Sequence, residues 1–177
     1  MQTIILGGGC FWCTESVFRH VKGVTKVTSG YMGGDAATAN YRAVCGGDTG
    51  HIEVIAVEFD DTVIGLETVL DIFFATHDPT TQDRQGNDVG RQYASVIFYT
   101  DEAAQKPTID RVIGQLRDEM GIRVVTEVHP AQEFHIAEDY HQDYYAKNPT
   151  QSYCNFVIPP KLAKLKQYFS GFVIERD

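Results

Sequence analysis

A run of three glycines that ends on a cysteine, Gly7-Gly8-Gly9-Cys10, sets the tightest limit on how this chain can fold. It follows the apolar stretch 3–6 and precedes Phe11-Trp12-Cys13-Thr14-Glu15-Ser16-Val17-Phe18, so the segment reads as a strand, a glycine turn and a helix start. Consecutive glycines make poor strand or helix interior and suit backbone that must turn sharply or approach a ligand. Cys10 then lies at a helix N-terminus, where unpaired N–H groups and the positive end of the helix dipole favour an anion. That placement is expected to lower the thiol pKa and supply thiolate near neutral pH. Packing as a small hydrophobe is the ordinary alternative for a cysteine. The glycine turn, the single tryptophan at 12 beside Phe11, and a second thiol at Cys13 favour chemistry.

With 177 residues, 43% of them hydrophobic, the chain has enough apolar material for one sizeable core. Residues 1–177 are read as a single catalytic domain, with 146–177 a C-terminal segment carrying Cys154. The net charge of −9 comes from acidic residues spread along the chain, which gives no electrostatic reason to bind nucleic acid or an anionic membrane. No apolar run is long enough to span a bilayer and the N-terminus lacks an export signal, so a soluble, cytoplasmic protein is expected. The cytosol keeps most thiols reduced, which argues against structural disulfides among the cysteines at 10, 13, 45 and 154. A zinc site usually draws on two close ligand pairs, and only Cys10 and Cys13 form one. No metal and no cofactor are expected, and the thiols read as redox or catalytic groups.

Periodicity predicts a helix from Phe11 to about His20, a strand over 24–31, a glycine-punctuated loop over 30–50 and a strand over 52–59. Next come a core-facing helix over 66–77, a polar loop over 78–90, a strand over 94–99 and an amphipathic helix from Asp101 to about Gly121. A short strand over 124–128, a partly helical aromatic segment over 133–145 and a basic surface helix starting at Pro159-Pro160 complete the chain. Strands and helices alternate without a regular βαβ cadence, which predicts a mixed sheet with helices packed on it, an α+β fold. The absence of a Gly-x-Gly-x-x-Gly fingerprint after the first strand argues against a dinucleotide fold.

A thiolate also needs groups that handle charge on what it attacks. The loops offer Tyr41, Glu53, Asp88 and Tyr93, each beside glycine- or turn-rich backbone. Their spacing alone does not bring them together. Gly9-Cys10-Phe11-Trp12, Gly30-Tyr31 with Gly33-Gly34, Asn40-Tyr41, Thr49-Gly50-His51-Ile52-Glu53, His77-Asp78-Pro79-Thr80, Gln85-Gly86-Asn87-Asp88 with Gly90 and Tyr93, and Ala137-Glu138 with His141-Gln142 resemble, in order, the motifs of the peptide methionine sulfoxide reductase A family.

The resemblance implies a two-layer ferredoxin-like plait and thiol-dependent reduction of the S epimer of methionine sulfoxide, free or in peptides and proteins. Cys10 matches the attacking cysteine and Glu53 the general acid, whose pKa must then be raised by burial and a nearby thiolate to hold a proton. Tyr41 and Tyr93 match hydroxyls that bind the sulfoxide oxygen, Asp88 matches a buried acidic partner, and Phe11 and Trp12 match the wall that grips the S-methyl group. The sulfenic acid left on Cys10 condenses with another thiol. Cys154 resembles the family's C-terminal resolving cysteine and is the favoured acceptor, with Cys13 as a first acceptor or relay. Thioredoxin is the implied reductant and a monomer is expected. Cys45 has no assigned part, His141 reads as support, and Glu138 and Asp143 suit a solvated helix face equally well. Two rivals remain: a thioredoxin-like dithiol oxidoreductase built on Cys10-x-x-Cys13, and a zinc-binding or redox-sensing module.

Overall fold

A computed structural model describes residues 1–175. Its strands are β1 (Gln2–Gly8), β2 (Val24–Met32), β3 (Ile52–Phe59), β4 (Arg84–Gln85), β5 (Asp88–Val89), β6 (Ser95–Tyr99), β7 (Glu127–Pro130) and β8 (His135–Ile136). The helices are α1 (Phe11–Arg19), α2 (Tyr41–Cys45), α3 (Leu66–Thr76), α4 (Glu102–Asp118), α5 (Tyr144–Lys147) and α6 (Ser152–Tyr168). The main sheet runs β7-β6-β1-β3-β2-β8, and β4 and β5 form a separate hairpin. Within that sheet β1, α1, β2, β3, α3 and β6 trace a βαββαβ path whose strands lie in the order β6-β1-β3-β2, all antiparallel. This is the ferredoxin-like plait. Only the edge strand β7 pairs in parallel, with β6, which makes the sheet mixed.

Strand alternation divides the core. Ile4 and Leu6 of β1 and Ile55, Val57 and Phe59 of β3 join the buried cluster with Val17 and Phe18 of α1 and Val69, Leu70 and Phe73 of α3. Ile5, Ile52, Val54, Val96 and Phe98 make a smaller cluster on the opposite face. On the register of β3, Glu53 falls on the same face as Ile55 and Val57, so a carboxyl is set into the helix-covered side near the start of α1. Glu15 of α1 is also buried and is held by Arg19 at 2.7 Å and the Ser29 hydroxyl at 2.9 Å, which ties α1 to β2.

Several local expectations change. Gly7 and Gly8 belong to β1 rather than to the turn; a Cβ on Gly8 would lie 3.0 Å from the Phe73 ring and 3.1 Å from His77. Close packing selects glycine there, and the turn itself falls on Gly9, at φ +95°. The segment 30–50 holds α2, started by Asn40, whose side chain accepts the Ala43 N–H at 2.9 Å. The last inner segment forms β7 at Glu127–Pro130, not 124–128, because the Val125 N–H bonds the Pro79 carbonyl and the Thr126 hydroxyl meets Ser95. The partly helical segment 133–145 resolves into β8, a 3-10 turn at Asp139–His141 and the start of α5.

The largest difference is α6. It begins at Ser152, capped by the Gln151 side chain on the Cys154 N–H at 2.7 Å, and runs through Pro159 and Pro160. Those prolines leave the Asn155 and Phe156 carbonyls without helical donors. Both residues are exposed, so water can satisfy them. The helix packs against α1 and α3 and buries Cys154, Ile158 and Leu165. The last two residues of the segment 146–177 lie outside the described residues.

Candidate active site

Cys10 caps α1, its carbonyl accepting from the Cys13 and Thr14 N–H groups at 3.1 and 3.4 Å. This leaves the two thiols on one edge of the first turn, joined by a side-chain hydrogen bond. The expectation of an acidified Cys10 does not hold for that residue. Its hydrogen bond to Cys13, its burial and the neighbouring Glu53 hold its pKa well above the usual thiol value, against the pull of the Trp12 N–H. Cys13 moves down, because it accepts that hydrogen bond and faces Lys161 and the Tyr153 hydroxyl. The two thiols thus titrate as a coupled pair in which Cys13 is the more acidic member, and the acidity comes from Cys10, Lys161 and Tyr153.

Glu53 is 1% exposed, and its Oε1 accepts the Phe11 N–H at 3.1 Å. Burial lifts its pKa from 4.5 to about 8, with Asp88 and Cys13 adding to the rise. It is therefore mainly protonated at neutral pH. Tyr41, at the start of α2, and Tyr93, after β5, are both raised by burial and then by nearby acidic groups that include Glu53 and Cys10. The four side chains thus share one electrostatic neighbourhood. Together they can offer a nucleophilic sulfur, a proton and two hydroxyl donors to a polar oxygen.

A cavity of about 800 Å³ opens on Cys10 and Cys13, lined also by Asp88, Tyr153, Phe156 and Lys161. Asp88 is half-buried rather than buried, and it accepts a very short hydrogen bond from the Tyr153 hydroxyl of α6. Phe11 departs from the expected wall. It is fully buried, with Tyr31 and His141 at ring distances of 5.6 and 5.1 Å, and it does not line the cavity. Trp12 is half-buried: Tyr144 stacks on it at 3.9 Å and its Nε1–H donates to His141 Nδ1 at 2.9 Å. Trp12 opens instead on a separate cavity of about 340 Å³ beside Glu15, Arg19 and Leu162. Cys154 is 0% exposed and packs with Cys13 and Ile158. Burial and Cys13 push its pKa up to about 11.

The family model described as Peptide methionine sulfoxide reductase matches residues 2–171. The peptide methionine sulfoxide reductase MsrA of Psychrobacter sp. (strain PRwf-1) is 73% identical over 174 residues, covering 98% of this chain and 99% of that protein. The chain belongs to the peptide methionine sulfoxide reductase A family. Mxr1 of Saccharomyces cerevisiae in its reduced form is similar in structure, with a TM-score of 0.77 and 35% identity over 84% of this chain and 86% of that one. The same yeast protein in complex with Trx2 matches with a TM-score of 0.54 at 24% identity, covering 80% of this chain and 83% of that one.

This member of the family reduces methionine sulfoxide by thiol chemistry, a repair reaction for oxidised protein. Its βαββαβ sheet is not the thioredoxin pattern that the dithiol rival requires. Among the described residues, no three of His, Cys, Asp and Glu are grouped so as to hold a metal ion, and no helix is long and apolar enough to cross a membrane.

Sequence reasoning missed Tyr153 and Lys161 of the reductase. Tyr153 stands directly before Cys154, and that adjacency was its only signal. Lys161 was expected on the surface, yet it is half-buried with its ammonium on the Thr76 carbonyl at 2.6 Å. Glu138 is not a solvated helix charge: it accepts from the Tyr31 hydroxyl at 2.9 Å and the Tyr41 N–H at 3.1 Å, and so fixes the start of α2. His141 is fully buried among Phe11, Trp12 and Tyr41. Cys45, which had no assigned part, is exposed but hydrogen-bonds the Tyr41 side chain.

Proposed function

We propose that Cys10 attacks the sulfur of methionine S-sulfoxide while Glu53 protonates the departing oxygen, and that Cys13 is the first thiol to resolve the product. Tyr41 and Tyr93 hold the oxygen, Asp88 steadies the cavity through Tyr153, and Trp12, stacked on Tyr41 at 6.2 Å with Phe11 buried behind it, offers the methyl group an apolar surface. The observation that carries this reading is the buried, protonated Glu53 beside Cys10. A carboxyl in that state can donate a proton where an exposed one would already be ionised.

When the shared proton sits on Cys13, Cys10 is the thiolate. Its attack forms a bond to the sulfoxide sulfur as the protonated oxygen breaks away as water; a water molecule then attacks the Cys10 sulfur, the bond between the two sulfurs breaks, and reduced methionine leaves with Cys10 as a sulfenic acid, the displaced proton going to solvent. The Cys13 thiol then displaces the sulfenic oxygen as water, forming the Cys10–Cys13 disulfide. Cys154 lies against Cys13. Its thiol can attack the Cys13 sulfur, free Cys10 and carry the disulfide as Cys13–Cys154. Of the two acceptors left open by the sequence, this order puts Cys13 first, because Cys154 is buried in a helix and neighbours Cys13.

An external dithiol must then restore the thiols, and thioredoxin suits that step, as the yeast relative's complex with Trx2 suggests. The thiols supply both electrons, so no cofactor is needed. We read residues 1–177 as one catalytic domain acting as a monomer in the cytoplasm. Replacing Cys10 by Ser should cut turnover of an S-sulfoxide peptide by at least about a thousandfold. Retained turnover would remove the assignment of the nucleophile.

A further inference from the structure

Apart from the thiols and carboxyls already used, the cavity is lined by two cations, Lys161 and Lys164, in a chain of net charge −9. Lys164 is exposed, whereas Lys161 is half-buried. A buried ammonium must be paired or hydrogen-bonded. Among the described residues no carboxylate forms an ion pair with Lys161, and its hydrogen bond goes to the carbonyl of Thr76, the last residue of α3. A helix C-terminus carries partial negative charge and unpaired carbonyls, so it fixes the ammonium in place without neutralising it.

The groups that face this ammonium can be named element by element. Cys10 and Cys13 come from the start of α1, and Asp88 from the hairpin is engaged by Tyr153. At the end of α3, burial keeps His77 neutral, with a pKa of about 4, and Asp78 is bonded to the Thr80 hydroxyl and N–H. Tyr153, Cys154 and Lys164 lie on α6 itself. Asp78 also feels Lys161, but no ion pair joins them among the described residues, and Cys13 outranks Asp78 among the groups that raise the Lys161 pKa.

We propose that Lys161 is the positioning cation of the dithiol: held by the Thr76 carbonyl at the cavity edge, it stabilises the thiolate that Cys13 presents to the oxidised Cys10. The inference rests on the reading that Cys13 resolves first. In the balanced step, the Cys13 thiolate forms the S–S bond as the S–O bond of the sulfenic acid breaks, and the oxygen leaves as water after taking up a proton. Because the two thiols are coupled, Lys161 also biases which of them holds the proton before attack, so its effect on Cys13 is read at the disulfide step, once the sulfoxide has been reduced.

The test uses full-length protein carrying Cys45→Ser and Cys154→Ser, so that only the pair titrates. Ultraviolet thiolate absorbance is followed against pH for Lys161, Lys161→Met, Lys161→Gln and Lys161→Arg. Gln keeps a donor for the Thr76 carbonyl without the charge, and Arg keeps the charge. Removing this cation should raise the first ionisation midpoint by about one pH unit in both Met and Gln, with Arg near the parent. In a single turnover with an S-sulfoxide peptide, the same neutral variants should release as much methionine but form the disulfide about tenfold more slowly at neutral pH. A Gln variant that matches the parent in midpoint and rate reduces Lys161 to an anchor for α3 and overturns the proposal. A Cys13→Ser control in the otherwise natural chain separates the two readings. If it forms a Cys10–Cys154 disulfide at the natural rate, the resolving role of Cys13 fails, whereas the absorbance midpoints still decide whether Lys161 acts on the dithiol.

Discussion

Glu53 carries the clearest consequence of a single buried group. Its folded pKa, about 8, lies above its ordinary value of 4.5. A raised carboxyl favours the folded state fully below the unfolded pKa, and that contribution is lost as pH rises through the folded one. Stability should therefore decline between about pH 4.5 and 8 for this reason. Glu53→Gln, neutral throughout, should lose that slope, so its melting temperature relative to the parent should rise between mildly acidic and mildly alkaline buffer. The same change removes the acid and should lower turnover by about 10²–10⁴-fold. Parallel melting curves across that range would contradict the buried-acid account. The residues of this site were legible mainly through their motifs. Their burial was not: Glu53 is covered because β3 alternation turns it toward the helices, while Phe11 is covered by Tyr31 and His141, which arrive from distant segments.

Among the elements, α6 departs most from what the sequence indicates. Two adjacent prolines ordinarily mark a helix start, yet seven residues, Ser152 to Ile158, precede them in the same helix. Burial of Cys154, Ile158 and Leu165 against the rest of the fold outweighs the lost backbone bonds, a tertiary effect that local propensity does not carry. The prolines still leave the first two turns weakly joined to the remainder, and those turns hold Tyr153 and Cys154. Replacing Pro159 and Pro160 together by Ala should stabilise the protein by about 1–3 kcal/mol, since the carbonyls of residues 155 and 156 regain donors. It should also slow transfer of the disulfide from Cys10–Cys13 to Cys13–Cys154, measured by rapid quenching and alkylation. Transfer at an unchanged or faster rate would mean that the prolines do not ease this movement. Regular strands such as β3 and helices such as α3 were readable because one alternating or helical face is apolar. The pieces β8, α2 and α5 are too short for periodicity, and distant partners hold them.

Across the whole molecule, the helices that cover the sheet bind the C-terminal segment into the core. Leu165 is 1% exposed in the main buried cluster, so Leu165→Ala should cost about 2–5 kcal/mol in a denaturant titration. Trp12 is the only tryptophan and packs against the buried cluster of Cys154 and Ile158, so its fluorescence reports the junction of α1 with that segment. Its unfolding transition should coincide with the loss of far-ultraviolet circular dichroism; an earlier tryptophan transition would show that the segment detaches on its own. The plait could be anticipated as an alternation of strands and helices, but the strand order and the position of α6 over the thiols depend on long-range packing. That packing puts Cys10, Cys13 and Cys154 in succession, and the central claim is that electrons move along them in that order. Single-turnover oxidation by an S-sulfoxide peptide, quenched over time by alkylation and mapped by mass spectrometry, tests it most directly. The account predicts a Cys10–Cys13 disulfide first and Cys13–Cys154 later. A Cys10–Cys154 disulfide appearing first, with Cys13 alkylated, would contradict it.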